Sequence, residues 1–142
     1  MNAGQISNFI ATAFICFLTC VTAKAQQSPA VPTSPTADPK AVFTVLTGRW
    51  VRVDGGYVIS IKAVDADGKL DASYANPRPL QFYAADVTRE ADALKLFFEL
   101  RDGGYNGSTY TLKFDAVRDQ LVGVYYQAVA KQRFAVIFVR AK

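Results

Sequence analysis

Histidine is absent from this 142-residue chain, and its only two cysteines, Cys16 and Cys20, lie near the N-terminus. Without an imidazole there is no side chain that titrates near neutral pH by default and no His ligand for a metal. Past residue 20 there is no thiol either. A thiolate nucleophile, a Cys-ligated zinc and a disulfide are thereby removed from the rest of the chain. Tryptophan occurs once, at Trp50. Only Asp and Glu are left for acid–base work, and no cofactor motif accompanies them. The composition predicts a protein that is not an enzyme and carries no cofactor.

The length suits one domain of ordinary size. Met1 to Ala25 reads as a secretory signal peptide: an apolar run from Phe9 to Val21, then Ala23-Lys24-Ala25 as a small-x-small cleavage site before Gln26. No Lys or Arg precedes Lys24, so the positive charge ahead of the run is the terminal amine alone. Two other readings stay open. A membrane anchor is disfavoured by Ser7, Asn8, Thr12, Thr19 and Thr22, which shorten the apolar stretch below the ~20 residues of a span. A lipid anchor on Cys20 is disfavoured by Leu18, two positions before the cysteine where the bacterial lipid-attachment pattern has three. The expectation is a secreted or periplasmic chain with no membrane span after cleavage, held together by burial alone.

Residues 26–41 hold four of the six prolines, Pro29, Pro32, Pro35 and Pro39, among Ser, Thr, Ala and Gln. Such a stretch reads as a solvated linker, with a proline-recognition ligand as the less favoured alternative because no basic residue flanks it. Asp38-Pro39 then resembles an N-cap with proline at the first helical position, and Gly48 stands where a C-cap would. One short helical turn should precede the domain, residues 42–142.

From Arg49 onward the apolar period is two. Tyr57, Ile59 and Ile61 alternate with Val58, Ser60 and Lys62; Leu94, Leu96, Phe98 and Leu100 alternate with Lys95, Phe97, Glu99 and Arg101. Turn chemistry at Asp54-Gly55-Gly56, Asp65 to Gly68, Asn76-Pro77, Asp102-Gly103-Gly104 and Arg118-Asp119 separates the runs. The pattern predicts an all-β, antiparallel, eight-stranded up-and-down meander. Its strands fall near 49–53, 57–64, 70–74, 80–88, 93–101, 108–115, 120–128 and 132–140. Closure into a barrel would remove the two sticky edges. The turn Asp54-Gly55-Gly56-Tyr57 recurs as Asp102-Gly103-Gly104-Tyr105, which we ascribe to shared hairpin chemistry.

Gly48-Arg49-Trp50, after a helical turn and opening the first strand, resembles the Gly-x-Trp start of lipocalins. Arg140 in the last strand is similar to the lipocalin arginine that packs over that tryptophan. Leu46 to Trp50, with Asp67 to Leu70 and Tyr74, also resembles the opening of the avidin barrels. Leader, linker and small barrel together are similar to small exported bacterial proteins. The resemblance implies a lipocalin-like or avidin-like barrel in which Trp50 and Arg140 are structural. Avidins line their biotin site with several tryptophans, so the single Trp50 does not carry that site over.

The remaining candidates for chemistry are weak. Glu99 lies on the Lys95 and Arg101 face of its strand. Asp86 sits in a segment, Gln81 to Val87, without a clean phase, and points to a barrel end if Phe82 and Ala84 face inward. Asp65-x-Asp67-Gly68 starts like a calcium loop but lacks the later bidentate carboxylate and reads as a hairpin turn. Once residues 1–25 are removed, 15 of the 16 Lys and Arg remain against 12 Asp and Glu, scattered rather than clustered. No nucleic-acid platform is expected.

The aromatic residues carry the functional expectation. Tyr57, Tyr74, Tyr110 and Tyr125 share phase with aliphatics, so the interior is either a solid core or a small aromatic cavity. Alternate connections of a meander fall at one end, which places Tyr57, Asn76, Arg78, Arg101, Tyr105 and Asn106 on a common rim. The leading expectation is a barrel mouth that binds a small, mostly apolar or amphipathic ligand. The alternative is a solid barrel that binds another protein or the cell envelope through its wall, where Tyr83, Phe97 and Tyr126 would be exposed.

Overall fold

The computed structural model describes residues 39–142. The expected signal peptide, the linker up to residue 38 and the expected Asp38 cap lie outside the described residues. Helix α1 (Pro39–Phe43) opens on a proline, whose fixed φ suits the first turn, and runs into a 3-10 turn at Thr44–Leu46. Thr47 is extended and ends it. Phe43 and Leu46 are buried, and the Trp50 indole N–H donates to the Leu46 carbonyl at 2.9 Å. Among the described residues no helix is long and apolar enough to cross a membrane.

Nine strands follow: β1 (Gly48–Arg52), β2 (Val58–Val64), β3 (Leu70–Ala75), β4 (Pro79–Gln81), β5 (Ala84–Glu90), β6 (Ala93–Leu100), β7 (Ser108–Asp115), β8 (Gln120–Gln127) and β9 (Gln132–Arg140). All pairings are antiparallel, in the order β4-β3-β2-β1-β9-β8-β7-β6-β5. The sheet is an up-and-down meander curled into a half-barrel. Period-two burial is plain along β6, where Leu94, Leu96, Phe98 and Leu100 are buried while Lys95 and Phe97 are exposed.

Two expectations need correcting. There are nine strands and not eight, because the expected strand 80–88 breaks at Phe82 and Tyr83. Its first part pairs with β3 and its second with β6. Pairing to β3 resumes only at an isolated Lys69↔Asp86 bridge. Between the Ser73↔Gln81 and Lys69↔Asp86 pairs the strand carries one residue more than β3, the signature of a bulge. The bulge flips the phase: Phe82 packs inward on Phe98, with ring centroids 4.6 Å apart, and the next fully buried side chain is Val87. Asp86 therefore faces outward and pairs with Lys69.

Closure is the second correction. The two sheet ends are held by that bridge and by the Val87 N–H, which donates to the Gly68 carbonyl at 2.7 Å, instead of by a full ladder. Gly68 has φ +82°, and a Cβ there would sit 2.2 Å from the Val87 carbonyl oxygen. Only glycine permits this approach.

The interior is packed. Trp50, Tyr74, Leu96, Phe98, Tyr110 and Phe138 are buried together with Tyr125. Rings fill the space between them: Tyr110 stacks on Tyr125 at 4.6 Å and meets Phe138 edge-on at 5.6 Å.

Candidate functional site

The β3–β4 and β6–β7 connections meet at one end of the half-barrel. Between them lies a pocket of about 400 Å³ lined by Asn76, Pro77, Arg78, Leu80, Gly103 and Tyr105. Proline on either side of Arg78 stiffens the first loop. Gly103, at φ +65°, brings the second loop so close that a Cβ would fall 2.8 Å from the Leu80 side chain. Ser108 fixes the base of that loop: its buried hydroxyl donates to the Tyr105 carbonyl and accepts the Ala128 N–H at 3.0 Å.

Tyr105 is the hinge between pocket and core. Its ring meets Tyr74 edge-on at 5.4 Å, and Tyr57 stacks on Tyr74 at 6.5 Å. The repeated Asp-Gly-Gly-Tyr turn thus sets two tyrosines against the same buried ring. The hydroxyls of Tyr105 and Tyr74 lie 3.3 Å apart, and those of Tyr74 and Tyr110 lie 3.4 Å apart. Asn76 donates its amide to the Tyr105 hydroxyl at 3.4 Å. All three contacts are longer than a well-formed hydrogen bond. Burial keeps the inner phenols protonated; Tyr110 is pushed up to about 12 and Tyr74 higher still.

At the same end Arg52 runs inward in phase with Trp50. Its side chain is only 10% exposed, its guanidinium lies 4.3 Å over the Tyr57 ring, and it pairs with both oxygens of Asp54. That pairing holds Arg52 charged and Asp54 below the usual carboxylate range. Sequence reasoning missed Arg52, although the Trp50-x-Arg52 spacing is the signal that places it inside.

Of the six rim residues expected from sequence, Asn76, Arg78 and Tyr105 line the pocket, and Tyr57 lies beside it against Tyr74. The other two are elsewhere. Arg101 turns to the outer wall, where it pairs with Glu99 at 2.6 Å and covers the Tyr83 ring at 3.3 Å. One residue past β6, it continues that strand's outward phase. Asn106 is an exposed turn residue with φ 44° and does not line the pocket. Leu80, Pro77 and Gly103 join the lining, and of these the sequence signalled Pro77 and Gly103 through their turns.

At the opposite end Arg140 lies over the Trp50 ring, with Cζ 4.2 Å from the centroid. It donates to the Thr47 and Val45 carbonyls at 2.6 and 2.8 Å and grips Asp119 with two further bonds. The short helical segment is thereby tied across that end. Asp65 shapes the β2–β3 turn by accepting the Asp67 and Lys69 N–H groups. Among the described residues no group of three or more Asp, Glu, His or Cys is arranged to hold a metal ion.

Set against known proteins, the chain matches no family model, no curated protein and no solved structure, so the antiparallel half-barrel stands on its own geometry.

Proposed function

We propose that this chain is an exported, non-catalytic binding module, lipocalin-like in plan, that holds a small amphipathic ligand at the mouth of its barrel. One observation carries the reading: the pocket between the β3–β4 and β6–β7 loops. At about 400 Å³ it falls in the size range of small-molecule sites. Leu80, Pro77 and the Tyr105 ring supply apolar walls, and Asn76 and Arg78 supply polar ones. The packed interior directs binding to this rim and away from the barrel axis. The Trp50–Arg140 stack supports the lipocalin-like plan, and the small-x-small site at Ala23 to Ala25 supports export. The absence of histidine, and of cysteine beyond Cys20, supports a role without catalysis.

Native mass spectrometry of the full chain purified from its source tests this reading. It predicts a small-molecule adduct that is lost in the Arg78→Ala/Tyr105→Ala double variant. Adduct-free protein, or an adduct the double variant retains, overturns it.

A second reading is favoured by the outer wall. Phe97, Val122, Val124 and Ile137 are exposed there, and the register sets Val122 beside Ile137 and Val124 beside Ala135. Such an apolar stretch, bordered by Lys113 opposite Val122, suits a docking wall for another exported protein or the envelope. That reading predicts that Val124→Glu with Ile137→Glu releases the chain from the envelope fraction of its source cells. Equal distribution of variant and parent rejects it.

A further inference from the structure

The pocket's hydrogen-bonding groups are unbalanced. Arg78 is exposed, and its guanidinium has no hydrogen-bond or ion-pair partner among the described residues. No carboxylate lines the pocket; Asp102, next to Gly103, is not part of the wall. Asn76 already directs its amide at the Tyr105 oxygen.

The Tyr105 hydroxyl is engaged within the wall: it donates toward the Tyr74 hydroxyl at 3.3 Å and accepts from the Asn76 amide at 3.4 Å. Tyr110 donates toward the same Tyr74 oxygen at 3.4 Å. Arg78 is left as the charged donor of this space.

We infer that the polar end of the ligand is an acceptor-only oxyanion, a carboxylate, held by Arg78, with its apolar body against Leu80 and Pro77. This rests on the mouth-binding reading above.

The test is a calorimetric and NMR titration of the full chain with three probes sharing one phenylbutyl body: 4-phenylbutanoate, 4-phenylbutanol and 4-phenylbutylamine. The carboxylate is expected to bind about tenfold more tightly than the alcohol, the gain of one exposed charge-assisted contact, with the amine weakest. Arg78→Gln should remove most of the gap between carboxylate and alcohol, while Arg78→Lys restores part of it. Added salt should narrow the same gap. Alcohol and carboxylate bound equally well, both shifting the Tyr105 resonances, would overturn the carboxylate inference and leave mouth binding standing. Failure of all three probes to shift Tyr105 overturns both.

Discussion

Arg140 covers the indole of Trp50 at 4.2 Å and, from the same guanidinium, bonds the carbonyls of Val45 and Thr47 and the carboxylate of Asp119. One side chain thus joins the last strand, the segment before the first strand and the β7–β8 turn. Replacing it leaves two carbonyls and a carboxylate to find other partners. Arg140→Ala should cost roughly 2–4 kcal/mol by urea unfolding, a figure discounted for the partly exposed ion pair. Arg140→Lys should recover only part, since an ammonium cannot make the planar fork. A loss within experimental error would show that the stack does not hold this end.

Acid should weaken the same end. The Arg140 guanidinium holds the Asp119 carboxyl below its ordinary range, and Arg118 does the same for Asp115. A carboxyl depressed in the folded state binds fewer protons than in the unfolded chain. Its contribution is present above the unfolded pKa, near 4, and is lost as pH falls through the folded value. Asp119→Asn should therefore flatten the acid limb of a stability–pH curve, leaving the neutral region lower by a constant amount. An unchanged acid limb would contradict the pairing.

The phenols set the alkaline limb. Tyr74, Tyr110 and Tyr125 are raised chiefly by burial, Tyr110 to about 12. The unfolded chain ionises near 10, so stability is full below that and falls as pH rises toward 12. The tyrosinate absorbance of the buried phenols should rise only together with unfolding. A single step near 10 would mean that the core phenols are open to water.

How far the fold was legible depends on the segment. Along β6 and β7 each side chain faces either core or water, and alternation alone predicts the strand. Gln81 to Val87 defeats this logic because a bulge exchanges the faces midway, and nothing local marks the extra residue. The rim was half legible. Turn chemistry gathered Asn76, Arg78 and Tyr105, but Arg101 was assigned by nearness in sequence, whereas strand phase sends it outward. The Trp50-x-Arg52 spacing places Arg52 in the inward phase, where a charged residue is not expected.

The seam at that bulge is the fold's narrowest join. Gly68→Ala would force a Cβ against the Val87 carbonyl and require a positive φ of alanine. It should cost about 1–3 kcal/mol and release the Val87 amide to hydrogen exchange while the β7–β8 amides stay protected. Retained protection at Val87 would show that the seam tolerates the strain.

The central claim, that ligand is held at the rim and not on the wall, is tested most directly by mapping backbone amide shifts of the isotopically labelled full chain on addition of 4-phenylbutanoate. The account predicts that the largest changes fall on Asn76, Arg78, Leu80, Gly103 and Tyr105 and vanish in Arg78→Ala/Tyr105→Ala. Changes centred on Phe97, Val122, Val124 and Ile137, with the rim amides still, would contradict it.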